Sequence, residues 1–297
     1  MDGRYVEWKK FNQETCKVKN YDKYGDYNPC DDKLTKRIGM ESSYGTIYEI
    51  KIKDARFAIK VFHLIGDHSE EWIEKEISFS EQLSRTESIY FLQFVKSGEC
   101  NDFIFHPSIL SQKKDIELYN KMLYVRNKVE EDVTINNFAT IAKKYGINLN
   151  VKIPYHVFYM IYELGKEDLW HWIHMHYNRD DMIIYFSQVL HGIYDMNDEG
   201  IIHNDLHLGN IILVNRNCGL VAAIHDFGES KMTDFETDSD YYKDYIAFLF
   251  SLSSALKEID KIVYKRIVEM EANWKSDFEE VDDKSTFMLY ILDKYFD

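Results

Sequence analysis

Alternation is the first clear pattern along the chain. In "GTIYEIKI" (Gly45–Ile52), Tyr48, Ile50 and Ile52 alternate with Glu49 and Lys51, the period of a half-buried strand. "RFAIKVFHL" (residues 56–64) reads as a second strand after a turn at Asp54. The period then changes. "SEEWIEKEISFSEQLS" (Ser69–Ser84) sets Trp72, Ile73, Ile77, Phe79 and Leu83 on one helical face, with Ser69 as the candidate N-cap. "YFLQFVKSGE" (90–99) predicts a strand, and the continuous apolar run at 155–164 predicts a buried one. Between them, "KKDIELYNKMLYVRNKVEE" and "INNFATIAKKYG" have helical character. Further on, "EDLWHWI" and "MIIYFSQVLHGIYDMNDEG" read as helices. The second is expected to bury Ile184, Phe186, Val189, Leu190, Ile193 and Met196 and to stop near Gly200. "NIILV" and "AAIHDF" predict short strands, "DYIAFLFSLSSAL" an apolar helix, and the last forty residues more helix. A strand-rich first part followed by a helix-rich second part predicts an α+β fold.

Composition narrows this only in places. A length of 297 residues suits one large domain or two lobes sharing a cleft. Residues 1–35, polar and rich in Tyr and Asn, read as a partly ordered extension. The formal charge of −15 (36 basic against 51 acidic residues) argues against nucleic acid and anionic membrane as partners. It suits a basic peptide, or serves only solubility. The four cysteines, Cys16, Cys30, Cys100 and Cys218, form no CxxC pair. With no signal peptide and no long apolar run, the expectation is a soluble intracellular protein, cytoplasmic or nuclear, with reduced thiols.

The chemistry concentrates in "GIIHNDLHLGN" (200–210) and "HDFG" (225–228). Asp205 and Asn210 fall in a loop between a helix and a strand, and Asp226 follows the next strand. These spacings suit phosphoryl transfer. One Asp orients the attacking hydroxyl and accepts its proton, while an Asn and a second Asp offer hard oxygens to Mg²⁺. Upstream, Lys60 ends "FAIK", where a cation can reach the α- and β-phosphates, and Glu76 on the next helix is placed to hold it. "RIGMESSYGTIY" reads as a phosphate-covering turn or as a plain hairpin.

The order "IG…GTIY", "FAIK", "EISFSEQL", "FYMIYEL", "HNDLHLGN", "HDFG" resembles the eukaryotic protein-kinase superfamily over roughly residues 36–255. "FAIK" is similar to V-A-I-K, "HNDLHLGN" to H-R-D-L-x-x-x-N, and "HDFG" to D-F-G. Within the superfamily, "DLHLGN", "EISFSEQLS" and "YELGKEDL" resemble the compact, atypical haspin-type branch. The ending "DYYKDYIAFL" is similar to that of kinases of large DNA viruses, which implies a setting inside a host cell. The resemblance implies a bilobal protein-kinase-like fold: a small β-rich N-lobe at 36–164 with a helical insertion at about 100–150, and a larger helical C-lobe at 165–297 with an abbreviated C-terminal end. It implies ATP and Mg²⁺ as cofactors and a Ser/Thr protein substrate. Asp205, Lys60, Asn210 and His207 are then catalytic, and Asn210 and Asp226 hold the metal. The nucleotide site comprises Ile38, Gly39, Gly45, Ile47, Ala58, Lys60 and Glu76, then Tyr162 as gatekeeper, Glu163 to Gly165 as hinge, Asp168 at the ribose and Ile212 beneath adenine. The apolar members also read as ordinary core.

The departures are informative. Gly45 matches the last glycine of a Gly-rich loop, but Ser42 stands at the middle one and Gly39 is one residue too far out for the first. Asn204 replaces the Arg that pairs with a phosphorylated activation loop, which implies activity without that phosphate. His207 replaces a phosphate-supporting Lys and can donate a proton or hydrogen bond there instead. The short stretch from Asp226 to Asp244 carries Glu229, Asp234, Glu236, Asp238 and Asp240. It suits a basic, histone-like substrate, or is a solvated loop. Two other readings stay open: a small-molecule kinase of the aminoglycoside or choline kinase type, and a pseudokinase scaffold.

Overall fold

The alternating segments pair into one sheet, and the helical ones pack mostly elsewhere. The structure, a computed structural model, describes residues 16–31, 34, 36–38, 45–62, 64, 69–103, 113–153, 155–233, 238–282 and 286–296. The fold is mixed α+β, and the chain divides into two compact units.

One unit takes Tyr21–Ile77 and Phe94–Leu164. Its strands are β1 (Lys36–Ile38), β2 (Gly45–Ile52) and β3 (Ala55–Phe62). After α1 (Ser69–Ser84) come β4 (Phe94–Phe103), the helices α2 (Lys113–Arg126) and α3 (Phe138–Lys144), and β5 (Tyr155–Glu163). The five strands form one sheet in the order β1-β2-β3-β5-β4, every neighbouring pair antiparallel. β2 and β3 join through a two-residue turn, Lys53 and Asp54, with Lys53 at φ 55°, as a tight hairpin requires. At Gly45 a Cβ would lie 2.9 Å from the Val61 carbonyl oxygen, so only glycine lets β2 start so close to β3.

Alternation sorts this sheet into two faces. Tyr48, Ile50, Phe57, Ile59, Val61, Val157, Tyr159 and Ile161 form one buried face. It is covered by Tyr21, Tyr24, Tyr27, Cys30 and Leu34, with the Tyr24 and Phe57 rings 4.8 Å apart. Lys96 donates to the carbonyls of Gly25 and Tyr27 at 2.8 Å each and pins the covering segment. Residues 21–31 and 34 are thus built into the unit. A bare apolar sheet face must be closed, and the tyrosines close it, with the Tyr21 and Tyr24 hydroxyls donating to Glu163 and Asp54. The thiols also depart from expectation. Cys30 pairs with Cys100, and Cys16 with Cys218, across 70 and 202 residues of sequence. Linear spacing carries no sign of pairs made by the tertiary fold.

The other unit comprises 16–20, Ser78–Gln93 and Gly165–Asp297. The unit boundary falls inside α1, whose later residues Phe79 and Leu83 join this unit's core. Its elements are β6 (Glu167–Asp168), α4 (Leu169–His176), α5 (Arg179–Asp198), β7 (Ile201–Ile202), β8 (Ile211–Arg216), β9 (Gly219–Ile224), β10 (Lys231–Met232), α6 (Asp238–Leu256), α7 (Lys261–Glu280) and α8 (Phe287–Phe296). Asp168, Asn178 and Asp260 N-cap α4, α5 and α7 with side-chain oxygens. α5 buries Met182, Tyr185, Phe186, Val189, Leu190, Ile193 and Met196. Ile184, expected in that stripe, is 44% exposed. It lies two residues from Met182, half a turn round the helix. Residues 90–93, expected to open β4, lie in this unit, where Leu92 N–H donates to the Ile224 carbonyl at 3.0 Å. β6, β8 and β9 form a three-stranded sheet, and β7 pairs with β10. Among the described residues no helix is long and apolar enough to cross a membrane.

Candidate active site

The candidate residues fall into one set per unit. In the first, register places Ile38 opposite Ile47, Ile47 opposite Lys60, Lys60 opposite Met160, and Ala58 opposite Tyr162. Directly paired residues share a face, so Ile38, Ile47, Ala58, Lys60 and Tyr162 all lie on the face opposite the Tyr-covered one. Gly45 pairs with Phe62 at the end of that row. Gly39 and Ser42 lie outside the described residues.

Lys60 Nζ sits 2.6 Å from Glu76 Oε1 on α1, with side-chain exposures of 9% and 1%. The Phe62 and Trp72 rings lie 5.0 and 5.6 Å from the ammonium. Two opposite charges taken this far out of water repay their desolvation only in good geometry, which this pair has. Tyr162 is buried, its hydroxyl near Met160 Sδ at 3.4 Å and its ring edge-on to Phe94. Glu163 is buried at the strand end and accepts from the Tyr21 hydroxyl at 3.4 Å.

In the other unit, the loop from His203 to Asn210 is held from several sides. Asp244 on α6 accepts from His203 N–H at 2.7 Å and Asn204 N–H at 2.9 Å. Burial pushes its carboxyl up, against the pull of those donors. His203 has no exposed surface. Its Nε2 faces the His225 carbonyl at 3.0 Å, and its Nδ1 accepts from Asp205 N–H at 3.3 Å. A carbonyl can only accept, so the ring proton is on Nε2. Leu208 N–H donates to Ser251 Oγ at 3.0 Å.

Asn210 donates Nδ2–H to the Asp205 carbonyl at 2.8 Å, and its own carbonyl accepts from His225 N–H at 3.0 Å. With the amide nitrogen turned to Asp205, Oδ1 is left as the donor a hard cation would take. Asp226 follows His225 directly, in the left-handed region at φ 67°. Asn210 and Asp226 together offer the hard-oxygen donor types that fit Mg²⁺. His207 Nδ1 accepts from Gly209 N–H at 3.0 Å, so Nε2 is the proton-bearing nitrogen, and it lies 3.8 Å from Asp205 Oδ2. Asp205 is about half exposed.

Gly165, Asp168 and Ile212 come together in the same unit. Asp168 pairs with Ile212 between β6 and β8, and a Cβ on Gly165 would lie 2.3 Å from Ile212 Cδ1. Asp168 Oδ1 is engaged as the cap of α4, accepting from His171 N–H at 2.7 Å. Of the acidic stretch, Glu229 is exposed, and Asp240 is tied to Thr233 at 2.9 Å and Lys231 at 3.7 Å. Asp234, Glu236 and the side chain of Asp238 lie outside the described residues.

Sequence reasoning missed Lys243, which donates to Asn204 Oδ1 while Asn204 Nδ2–H donates to the Glu229 carbonyl at 3.0 Å. The signal was available: a lysine directly before Asp244 follows Asp244 to the loop. No protein-family model matches the chain, and no curated protein matches it in sequence.

Proposed function

We propose that the chain is an ATP- and Mg²⁺-dependent protein kinase with a bilobal protein-kinase-like fold, transferring the γ-phosphate to a Ser/Thr hydroxyl of a protein substrate. The observation that carries the reading is the Lys60–Glu76 pair, 2.6 Å apart and almost wholly desolvated. Replacement of such a pair by apolar side chains is often neutral or stabilising, so a pair in this place supports work on phosphate. The strand order β1-β2-β3-β5-β4 and the Asp205–Asn210–Asp226 arrangement support the same reading.

Lys60 would bind the α- and β-phosphates, held in place by Glu76. Ile38, Ile47, Ala58 and Ile212 would contact adenine, and the backbone from Glu163 to Gly165 would hydrogen-bond it. Asp205 would accept the hydroxyl proton as the oxygen attacks the γ-phosphorus and ADP departs. His207 Nε2 lies 3.8 Å from Asp205 Oδ2 and would support the transferring phosphate. Asn210 and Asp226 would hold Mg²⁺, which when bound neutralises charge on the phosphates. Asn204 joins the Glu229 carbonyl to Lys243, contacts that would brace the loop for activity independent of its phosphorylation. An acidic protein favours a basic, histone-like partner. The intracellular setting belongs to the proposal too. Disulfides are features of oxidising compartments, so a count of free thiols decides it.

The test is incubation with γ-labelled ATP and Mg²⁺ against histone tails, casein and a panel of hydroxylated metabolites, followed by phosphosite mapping. Label on Ser/Thr of a basic protein, lost in Asp205→Ala and Asp226→Ala, is expected. Label on an aminoglycoside or choline would move the chain to the small-molecule kinases. Nucleotide binding without transfer would make it a scaffold.

A further inference from the structure

β6 runs directly into α4, and the Asp168 cap starts that helix at Leu169. Glu167 therefore stands in the strand just before the cap, His171 in the first turn and His176 at the last residue of the helix. One donor atom from each of these three side chains lies within 4.8 Å of the other two. Glu167 Oε2 and His176 Nε2 are 3.5 Å apart. A tetrahedral ion with metal–nitrogen and metal–oxygen bonds of about 2.1 Å has its donors about 3.4 Å apart, so this edge already has the right length.

We infer that Glu167, His171 and His176 form a binding site for a divalent first-row transition-metal ion, with Zn²⁺ the fit. Two imidazoles and one carboxylate are a borderline donor set that selects zinc over magnesium or calcium. Glu167 is oriented for the task. Its side chain is 10% exposed, and Lys166 Nζ lies 3.4 Å from Oε1, leaving Oε2 to face the histidines. A carboxylate held this way by a second partner is the usual support of a metal ligand. Both histidines are exposed, so an ion has a path in. Three protein ligands leave a fourth position for water. The ion would clasp β6 to the far end of α4 and fix the strand that carries Asp168. None of this rests on the kinase reading.

The experiment is calorimetric titration of the tag-free full chain with Zn²⁺ in the presence of excess Mg²⁺, repeated with Co²⁺ and read by visible absorption. One Zn²⁺ per chain and a tetrahedral Co²⁺ spectrum are expected. His171→Gln and His176→Gln should each weaken binding at least about tenfold, the scale lost even for outer-sphere changes. His174→Gln is the control: on the same helix, its Nδ1 is already engaged with the Trp170 carbonyl at 2.7 Å, and it lies outside the cluster. Circular dichroism of the metal-free variants checks their fold, and Glu167→Gln supplies a second route if either histidine variant misfolds. Absence of stoichiometric Zn²⁺ binding would overturn the site and leave a surface ion pair. So would binding that survives the His171, His176 and Glu167 changes, or that falls equally in His174→Gln.

Discussion

Consider removal of the Lys60–Glu76 pair in steps. Lys60→Met keeps the length of the stem but leaves the Glu76 carboxylate, 1% exposed, without the ammonium now 2.6 Å away. Breaking a buried pair from one side costs about 3–5 kcal/mol, because the remaining charge stays out of water. Glu76→Leu leaves Lys60 between the Phe62 and Trp72 rings and should cost somewhat less, since a lysine can give up its proton. The double variant Lys60→Met/Glu76→Leu removes both charges, and such replacements are often neutral or stabilising. We expect it within about 1 kcal/mol of wild type, a strongly non-additive result for residues in contact. Urea unfolding followed by circular dichroism reads this as a midpoint that falls in each single variant and returns in the double at unchanged slope. The restored double variant should still give no thermal shift with Mg·ATP and no phosphate transfer. A double variant as unstable as the singles would refute the desolvation argument. A stable double variant with full transfer would show that the pair has no part in phosphate transfer.

Asp205→Asn should lower the transfer rate by ~10²–10⁴, measured from initial velocities. Its urea midpoint should hold, because the Asp205 side chain is 54% exposed. Asp244→Ala strips the acceptor from two backbone N–H groups and should destabilise by about 3–6 kcal/mol, at about 1.5–3 for each charge-assisted bond; a loss below about 1 kcal/mol in urea would contradict that bracing role. Asp260 is held well below the usual carboxylate range, first by Arg179 at 2.6 Å and also by the Tyr177 hydroxyl and the α7 N–H groups. Its folded pKa is the lower one, so its stabilisation is complete above the unfolded value of about 3.9 and is lost as pH falls towards the folded one. The stability gap between wild type and Asp260→Asn should therefore narrow in urea curves taken below that pH, and a constant gap would refute the assignment. Thiol titration of unfolded, unreduced protein should find none of the four cysteines free. Opening Cys30–Cys100 alone should cost about 4 kcal/mol for its 70-residue separation. Four free thiols would instead restore the expectation of a reduced, intracellular chain.

Local periodicity made much of the fold legible. β2, β3 and β5 were visible because their side chains alternate or run apolar, and α1 because its apolar residues recur near every third or fourth position. Lys60, Glu76, Asp205, Asn210 and Asp226 were legible as residue types at meaningful spacings. What depends on distant pairing was not. Nothing in "YHVFYMIYEL" says that β5 inserts between β3 and β4, because that neighbourhood is decided after about fifty intervening residues. The Tyr-rich stretch near residue 21 read as a partly ordered extension because its apolar surface belongs to single tyrosines, not to a periodic run. Its purpose emerges only when Phe57 is found beneath Tyr21 and Tyr24. The Glu167–His171–His176 cluster was hidden for a similar reason: one donor lies in a strand and two ride a helix, so no single period connects them.

Backbone strain shows how the loop around Asp205 is kept in shape. Four non-glycine residues among those described have positive φ: Lys53, Glu87, Asn204 and Asp226. The first is in a hairpin turn and the second in the turn after α1. The other two lie beside the residues proposed for catalysis. Such conformations cost on the order of 1–3 kcal/mol each and persist only where surroundings over-determine them. Asn204 is pinned through its N–H by Asp244 and through its side chain by Glu229 and Lys243. Asp226 is pinned on both sides, by the His225–Asn210 hydrogen bond before it and by buried Phe227 after it, whose ring lies 5.3 Å from that of His203. Both sets of restraints meet at His203, which touches Asp244 through its backbone, and Asp205, His225 and Phe227 through its ring. A histidine fits there because its ring offers one donor and one acceptor, which join a carbonyl to an N–H across the loop. In the proposed site His203 is therefore a positioning residue. It carries the restraint from Asp244 into the segment that presents Asp205, Asn210 and Asp226, and a site that works by electrostatic preorganisation depends on such a restraint.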